Sequence, residues 1–419
     1  MRDSIDTEAI KQAALDLLRF NRKEGYDSRY KRKFNYSSPS RRRYSWQWFW
    51  DSCFHAIALS HLDLQMAKDE LSSLVASQED DGFIGHITYW GSRPVLPPWA
   101  YLQSKISLRP RHSQLIQPPL LAQAVHQVYL KSQDRAFLDD MLPRLDRYYW
   151  WLADKRDPDA DSLISVISPY ETGMDHKPAF DSALGLRRPG RASLEIKNRL
   201  LDISHLARGN YDVDAILRKG VFDCEDVMVN CVYAQALASM GRMHQETGSD
   251  DKARAYEALA HRVERAVLDK CYDPESGLYF DLFSRSERKL KVATVTALFP
   301  LILDTIPNER LDELVHRHLL NEEEFWLPNP VPSVAMSEVT FKPDWSMTLW
   351  RGPAWLNTNW FLVQGLRKHG YGDAAKHIVD RSLEMVAREG FREYYNPITG
   401  KGMGAGDFGW STLVVDMVS

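Results

Sequence analysis

Cysteine is scarce in this sequence, and long apolar runs are missing. The four cysteines among the 419 residues, Cys53, Cys224, Cys231 and Cys271, form no Cys-x-x-Cys pair and no regular spacing. Scattered thiols of this kind are typical of a protein kept in a reducing compartment. No stretch approaches the roughly 18 apolar residues of a membrane span, and the polar first residues lack a signal-peptide core. We therefore expect a cytoplasmic protein with no membrane partner.

A strong excess of one charge is also missing. The formal net charge is −4, whereas nucleic-acid-binding domains usually carry a marked basic excess. We therefore expect no nucleic-acid partner. The basic runs 31–33 and 41–43 are local. They are either part of a solvated loop or an electropositive rim for an anionic substrate.

The usual signatures of metal, nucleotide and serine-nucleophile chemistry are absent. The 13 histidines form no His-Glu-x-x-His pair, and the sequence contains no Gly-x-Ser-x-Gly or phosphate-binding loop. Gly404-x-Gly406-x-x-Gly409 matches a dinucleotide-binding pattern literally. It lacks the acidic residue about twenty positions further on that such binding requires. We therefore expect neither a metal nor a cofactor.

Two turn-rich segments each carry a carboxylate among aromatic residues. They are 168–175, which ends in Asp175, and 391–397, which contains Glu393. Hydrolysis of a glycosidic bond needs two such groups, because one protonates the leaving oxygen while the other activates water or attacks the sugar. The alternative interpretation is that Asp175 caps a turn and Glu393 is an ordinary surface charge.

Tryptophan is abundant, with 13 residues, and its placement suggests a sugar site. Three tryptophans alternate along 46–50 immediately before Asp51, and four recur every five residues from Trp345 to Trp360, around Arg351. A pyranose ring has apolar faces and a polar hydroxyl rim, so it is bound by aromatic platforms interleaved with polar side chains. Each tryptophan singly could equally be a core residue.

The apolar periodicity predicts an all-α protein of about twelve helices. Most fall in pairs, and no flexible linker interrupts the series, so we expect one domain over residues 1–419. Six helical hairpins closed into a ring form an (α/α)6 barrel, here with long active-site loops and minor β hairpins. The loops 30–45 and 83–112 are candidate lids. Predicted helices include 5–24, 113–132 with 134–155, 194–208 with 223–247, 291–304 with 308–319, and 346–369 with 372–389.

Three ordered motifs resemble those of (α/α)6 glycosidases, namely trehalases and glycoside hydrolase family 63. Residues 171–175 resemble the Glu-Ser-Gly-aromatic/Met-Asp motif whose last residue is the general acid. The stretch 350–355 resembles a sugar-binding Trp-Arg-Gly-Pro motif, and 391–397 with Gly400 resembles the segment that supplies the general base. The chain departs from the pattern at Thr172, where serine is usual, and lacks the N-terminal β domain of larger relatives.

At its size the chain looks like the mannosylglycerate and glucosylglycerate hydrolases of this family. The resemblance implies an inverting exo-glycosidase that cleaves the α-glycosidic bond of such a compatible solute into hexose and glycerate. Asp175 would be the acid and Glu393 the base. The alternatives are a trehalase or α-glucosidase on the same fold, or a non-catalytic sugar-binding barrel. An oligomer is compatible with the sequence.

Candidate substrate-binding residues follow from the same motifs. Asp51 and Arg351 would hold sugar hydroxyls, and Trp48 and Trp350 would form ring platforms. Glycerate is an anion and needs a fixed cation; Arg218 is one candidate, and Arg43 and Arg351 compete with it. The full predicted set for substrate binding is Tyr44, Trp46, Trp48, Asp51, Tyr89, Gln117, Arg218, Trp350, Arg351 and Tyr395.

Overall fold

The computed structural model describes residues 5–91, 96–344 and 349–419, and helices dominate it. None of the described helices is long and apolar enough to cross a bilayer. The helices are α1 (Thr7–Phe20), α2 (Phe49–Leu59), α3 (Leu64–Val75), α4 (Pro98–Leu102), α5 (Leu121–Ser132), α6 (Arg135–Lys155), α7 (Phe180–Ala183), α8 (Arg191–Ala207), α9 (Val213–Lys219), α10 (Val227–Glu246), α11 (Asp250–Ala266), α12 (Asn308–Glu313), α13 (Leu356–Lys368), α14 (Gly372–Glu389) and α15 (Val414–Met417).

Short strands and tight turns connect these helices. Turns of 3-10 type span Pro169–Thr172, Val295–Ile302 and Gly409–Leu413, and wider π turns extend α11 over Val267–Cys271 and α12 over Leu314–Leu319. All strand pairs are antiparallel. The strands are β1 (Arg22–Asp27), β2 (Arg32–Ser37), β3 (Gln47–Trp48), β4 (Ile87–Thr88), β5 (Cys224–Glu225), β6 (Tyr272–Asp273), β7 (Leu278–Tyr279), β8 (Leu282–Phe283), β9 (Arg288–Lys289), β10 (Arg392–Tyr395) and β11 (Gly402–Gly406).

Six segments form a closed inner ring. In order around the ring they are α2, α5, α10, the 295–302 turn, α13 and the 409–413 turn, and the last of these returns to α2. Segments surrounded by protein on every side must be apolar all round. Accordingly, every residue of α2 is buried, as is every residue of the 295–302 turn.

A second layer of helices surrounds this ring. α3, α6, α11 and α14 pack on α2, α5, α10 and α13, and the segment 308–319 packs on the 295–302 turn. The N-terminal helix α1 packs on the 409–413 turn and α15, so the two ends of the described chain make the sixth hairpin together. This double ring is an (α/α)6 barrel, and it confirms the fold class that the sequence predicts.

The structure corrects several local predictions. The first helix ends at Phe20 rather than at residue 24, and residues 22–37, which include part of the predicted loop 30–45, form the β1–β2 hairpin. The reason is tertiary, because the Glu70 carboxylate accepts the Ser37 amide at 2.6 Å and thereby ties β2 to α3. Within the predicted helix 291–304, only Val295–Ile302 is helical, as a 3-10 turn that contains Pro300, and α13 begins only at Leu356. The expected start of α13 at 346 lies outside the described residues.

We expect Leu18→Ala to weaken the closure of the ring. Leu18 lies on α1, is fully buried and belongs to the main core, so its truncation should lower the free energy of unfolding by about 2–5 kcal/mol. Leu130→Ala, at a half-exposed leucine of α5, is the matched control and should change it by less than about 0.5 kcal/mol. Denaturant titration measures both. Equal losses would contradict the assignment of α1 to the sixth hairpin.

Candidate active site

A cavity lies where the inner segments begin. It is walled by the residues that lead into α2, α5, α13 and the 409–413 turn, together with the segments that carry the two predicted carboxylates. The ring therefore brings residues more than two hundred positions apart to one place. The lining residues are Pro39, Tyr44, Trp48, Trp50, Asp51, Gln117, Gly173, Asp175, Leu349, Trp350, Trp355, Glu393, Phe408 and Trp410.

A buried ion pair fixes the turn that presents Asp175. Arg156 donates to both oxygens of Glu171, at 2.8 and 2.7 Å, and both side chains are fully buried. The same carboxylate accepts the amides of Ile116 and Ile167, at 2.9 and 2.7 Å. Glu171 is thus committed to internal contacts. The acidic residue at the start of the motif holds the turn, while the acidic residue at its end faces the cavity.

Gly173 is required by the path of this turn. Its φ is +70°, in the left-handed region that glycine adopts readily. A Cβ at this position would overlap the indole ring of Trp50. The absence of a side chain therefore lets the turn pass directly over Trp50, and two residues later Asp175 reaches the cavity.

The Asp175 carboxyl is partly exposed because it faces the cavity. Removal of the Asp175 carboxyl group from water by the surrounding protein raises its pKa to about 7. The charges of Glu195 and Glu393 raise this pKa further, whereas the neighbouring His176 opposes the rise. A substantial fraction of Asp175 is therefore protonated at neutral pH.

Glu393 lies on β10 in a different environment. The Tyr44 hydroxyl donates to its Oε1 at 2.9 Å, and the Ala405 amide donates to its Oε2 at 2.8 Å. Burial raises the pKa of Glu393, and these two donors and the charge of Arg43 oppose that rise. Gly404, at φ +69°, allows the close approach, because a Cβ there would meet Oε2 at 2.6 Å. Glu393 is therefore arranged to be held as a carboxylate.

Asp51 is a third carboxyl group in the cavity wall. It lies in the first turn of α2 and is 3% exposed, and its Oδ1 has no partner among the described residues. Burial raises the pKa of Asp51 to about 7, and the charge of Glu393 adds to the rise. An unpartnered polar atom at a cavity wall indicates a place where a ligand hydroxyl can bind.

Aromatic rings form most of the remaining wall. Trp350 stacks on Trp355 with ring centroids 3.6 Å apart and planes 10° apart, in a backbone conformation of φ +63°. Trp410 packs against Trp355 and Trp50, at 5.7 and 5.8 Å. Tyr44 meets Trp48 edge-on at 5.8 Å on another part of the wall. This arrangement suits a ring with apolar faces.

Seven of the predicted site residues line this cavity, and five do not. Those that line it are Tyr44, Trp48, Asp51, Gln117, Asp175, Trp350 and Glu393. Those that do not are Trp46, Tyr89, Arg218, Arg351 and Tyr395. Four of these five residues make contacts elsewhere, and Arg218 lies on the surface.

The contacts of these five residues explain their positions. Arg351 forms a two-pronged ion pair with Asp181, at 2.9 and 2.5 Å, which fixes the loop before α13. Trp46 and Tyr89 pack on each other in a separate aromatic cluster. The Tyr395 hydroxyl donates to the Gly390 carbonyl in the core. Arg218 lies exposed on α9.

Four aromatic residues of the wall are missing from the predicted set. They are Trp50, Trp355, Phe408 and Trp410. Phe408 and Trp410 flank Gly409 in the segment that matches the dinucleotide pattern. The signal that could have identified them is their position in the sequence, because two aromatic residues follow the Glu393 segment closely. Trp345 lies outside the described residues.

Of the described residues in the two candidate lids, those that contribute to the wall belong to one lid. The loop 30–45 supplies Pro39 and Tyr44. No described residue of 83–112 lines the cavity, and residues 92–95 of that loop lie outside the described residues.

Two carboxyl groups that line one aromatic-walled cavity, on an (α/α)6 barrel, are the arrangement that glycoside hydrolases use. The family model for the mannosylglycerate hydrolase MGH1-like glycoside hydrolase domain matches residues 44–411, and the chain belongs to this family. The match spans all three motifs on which the sequence resemblance rests.

Named relatives cover nearly the whole chain. A mannosylglycerate hydrolase of Thermus thermophilus is 30% identical over 410 residues, which is 90% of this chain and 95% of that protein. A glucosylglycerate hydrolase of Mycolicibacterium hassiacum is 26% identical, over 89% and 91%. The crystal structure of the family 63 mannosylglycerate hydrolase from T. thermophilus with Tris and D-glycerate superposes with a TM-score of 0.84, at 27% identity, over 98% of this chain and 99% of that one.

We expect Gly173→Ala to disturb the turn that carries Asp175. The loss of unfolding free energy should exceed the cost of placing alanine in a left-handed backbone conformation. Gly185→Ala is the matched control, because Gly185 has φ +66° with open space around its Cα. The control should lose roughly 1–2 kcal/mol of unfolding free energy for the left-handed conformation alone. Gly173→Ala should lose clearly more and alter tryptophan fluorescence, because the methyl group displaces Trp50. Equal losses and an unchanged spectrum would contradict this account.

Proposed function

We propose that this chain is an inverting exo-glycosidase that cleaves the α-glycosidic bond of mannosylglycerate or glucosylglycerate into hexose and glycerate. The observation that carries the proposal is the contrast between Asp175 and Glu393 within one cavity. The names of the relatives support the substrate class. We also propose that residues 1–419 act as a single catalytic domain in the cytoplasm, where compatible solutes accumulate.

The contrast assigns the two roles. Asp175 keeps a proton near neutral pH and donates it to the glycosidic oxygen as the bond breaks. Glu393, held by two donors, stays ionised and takes a proton from the water that attacks the opposite face of the sugar. The hydroxyl of Tyr44 orients the Glu393 carboxylate during this step.

The remaining wall residues bind the hexose. Trp48 and Trp350 supply aromatic surface for the sugar ring. Oδ1 of Asp51, which has no partner among the described residues, accepts a hydrogen bond from a sugar hydroxyl. The Gln117 carbonyl oxygen accepts the Trp50 amide at 3.1 Å, which leaves its amide nitrogen to donate to a substrate oxygen. The cavity is small, which favours a single terminal sugar over a polymer.

The carboxylate of glycerate needs a cation. Asp181 occupies both terminal nitrogens of Arg351, so Arg43 and Arg218 are the better candidates. Arg43 lies over the Tyr44 ring, with its guanidinium carbon 5.7 Å from the ring centre. Arg218 remains a candidate for this cation, with the Tyr89 hydroxyl and the Gln117 amide nitrogen as candidate hydrogen-bond donors.

We expect Asp175→Asn and Glu393→Gln each to lower kcat at least about 10²-fold without a comparable loss of Tm, because each removes one proton-transfer group. Glu389→Gln, at a partly exposed glutamate four residues before Glu393 and outside the cavity wall, is the control and should leave kcat unchanged. Hexose release is assayed with mannosylglycerate, glucosylglycerate and trehalose, and proton NMR should detect the β-anomer of the hexose first.

Specific results would overturn this proposal. Full activity in either carboxyl variant would remove that residue from the reaction. An α-anomer as the first product would replace inversion by retention. Turnover of trehalose alone would assign a trehalase on the same fold, and binding of sugar without hydrolysis would assign a sugar-binding barrel.

The pH dependence provides a separate prediction. The acid must be protonated, so kcat/KM should fall as pH rises above about 7, the pKa of Asp175. Tyr44→Phe removes a donor that lowers the pKa of Glu393. That pKa should then rise and move the acidic limb of the kcat/KM profile to higher pH. Tyr148→Phe, at a buried tyrosine outside the cavity wall, should leave both limbs in place. An unmoved acidic limb in Tyr44→Phe would contradict the role of Glu393 as base.

A further inference from the structure

Two features of the sequence lie outside the sugar cavity, and the structure brings them together. They are the basic run 41–43 and the glycine-rich strand β11. The basic run forms a tight turn, which is closed where the Tyr44 amide donates to the Ser40 carbonyl at 2.8 Å. The Ser40 hydroxyl donates to the Gly406 carbonyl at 3.1 Å. The turn is therefore attached to the last residue of β11.

Arg392 brings a guanidinium group to the same place from β10. It lies opposite Gly406 in the β10–β11 pair. Its side chain crosses β11, because a Cβ at Gly402 would meet its Cγ at 2.5 Å and a Cβ at Gly406 would meet its Nη1 at 3.3 Å. The two glycines thus make room for the arginine, and its guanidinium group lies beside the turn 41–43.

A surface depression lies between these segments, separate from the sugar cavity, and arginines border it. They are Arg42, Arg43 and Arg392. None of the three forms an ion pair with a residue that the structure describes, and the buried Nε of Arg392 has no hydrogen-bond partner there. Arg41 points elsewhere and donates to the Phe20 carbonyl at 2.9 Å. Three guanidinium groups around one depression, with no acidic partner in the described chain, are suited to bind an anion.

Two acidic residues border the same depression, and they do not cancel its charge. Oε2 of Glu389 accepts the Gly402 amide at 3.2 Å, and its Oε1 accepts a hydrogen bond from Arg388 at 3.1 Å. Asp407 is exposed, so water and salt screen its charge. The carbonyl end of α14 also opposes an anion, but this effect is weak at an exposed helix end. Positive charge therefore prevails in the depression.

We propose that Arg42, Arg43 and Arg392 form a binding site for a tetrahedral oxyanion of the phosphate class. Phosphate and sulfate groups carry acceptor oxygens on all sides of one centre. They can therefore accept from guanidinium groups that approach from two directions, here a turn and a strand. A carboxylate presents two oxygens in one plane and engages fewer of these donors.

The oxyanion site is coupled to Glu393 through Arg43. Arg392 and Glu393 are consecutive residues of β10, and they border the depression and the sugar cavity respectively. The charge of Arg43 opposes the rise in the pKa of Glu393. A bound dianion offsets that charge, so the pKa of Glu393 should rise. This consequence rests on the proposed role of Glu393 as the base, whereas the binding of the anion does not.

Other titratable groups also act on Glu393, and none of them borders the depression. Their influence therefore stays in place when the anion binds. They are Tyr44 from the loop 30–45, Asp51 from α2, Asp175 from the acid turn and Tyr394 from β10.

Calorimetric titration of the full chain with sodium sulfate tests the site. Sulfate stays a dianion throughout the assay range, and NaCl keeps the ionic strength constant. We expect one sulfate per chain, and inorganic phosphate should compete with it at pH 8. Arg42→Gln and Arg392→Gln should each weaken binding at least about tenfold, because each removes a charge-assisted contact. Arg32→Gln is the matched control, at an exposed arginine of the other basic run, and should bind sulfate as the wild type does.

The pH dependence of hexose release supplies a second readout. Saturating sulfate should move the acidic limb of the kcat/KM profile to higher pH by at least about 0.3 pH unit, which is a loss of about twofold in kcat/KM at a fixed pH on that limb. The alkaline limb, which reports Asp175, should stay in place. In Arg42→Gln, sulfate at the same concentration should leave the acidic limb where it is without sulfate.

Three results would overturn the proposal. The first is the absence of binding heat with millimolar sulfate and phosphate. The second is wild-type binding in Arg42→Gln, whose side chain is exposed and whose loss should not prevent folding. The third is purely competitive inhibition with both limbs unmoved, since the anion would then occupy the sugar cavity. If no substrate is hydrolysed, the proposed function fails, and the titration still decides the oxyanion site.

Discussion

The buried pair of Arg156 and Glu171 is the interaction on which the presentation of Asp175 depends. Both groups are removed from water, so each needs the other to compensate its charge. Two backbone amides also donate to Glu171 and complete its hydrogen bonding. Removal of one partner from such a pair typically costs about 3–5 kcal/mol, because an uncompensated charge is left inside. The pair fixes one end of the turn, and Lys177 fixes the other against Asp226 and Asp281.

Hydrogen bonding distinguishes the carboxyl groups of the cavity. Asp51 lies in the first turn of α2, where the helix dipole favours the ionised form by ~0.3–1 kcal/mol. Its pKa nevertheless rises from 3.8 to about 7, which corresponds to roughly 4 kcal/mol. Burial therefore outweighs the dipole. Among the described residues, Glu393 receives two donors, from Tyr44 and Ala405, and these donors oppose the effect of its burial and favour its ionised form.

The sequence predicts the fold well because apolar periodicity determines a double ring of helices. Asp175 and Glu393, which the sequence predicts from local motifs, both line the cavity. The failures lie where tertiary contacts decide. No local sequence pattern indicates that Glu70 bonds to the hairpin 22–37, or that Arg351 pairs with Asp181. Phe408 and Trp410 were missed because they reach the cavity wall only when the 409–413 turn closes the ring against α2.

The glycines of the segment 404–409 have a physical role in this fold. Gly404 lets the Ala405 amide reach Glu393, and a Cβ at Gly409 would overlap the imidazole of His55 on α2. The last inner segment therefore packs tightly against the first, and this closure brings the Glu393 strand beside the start of α2. α1 covers the same junction from outside. The geometry of the base thus depends on contacts between the two ends of the chain, whereas the geometry of the acid depends on ion pairs in its middle. A change that loosens the ring should therefore move Glu393 before it moves Asp175.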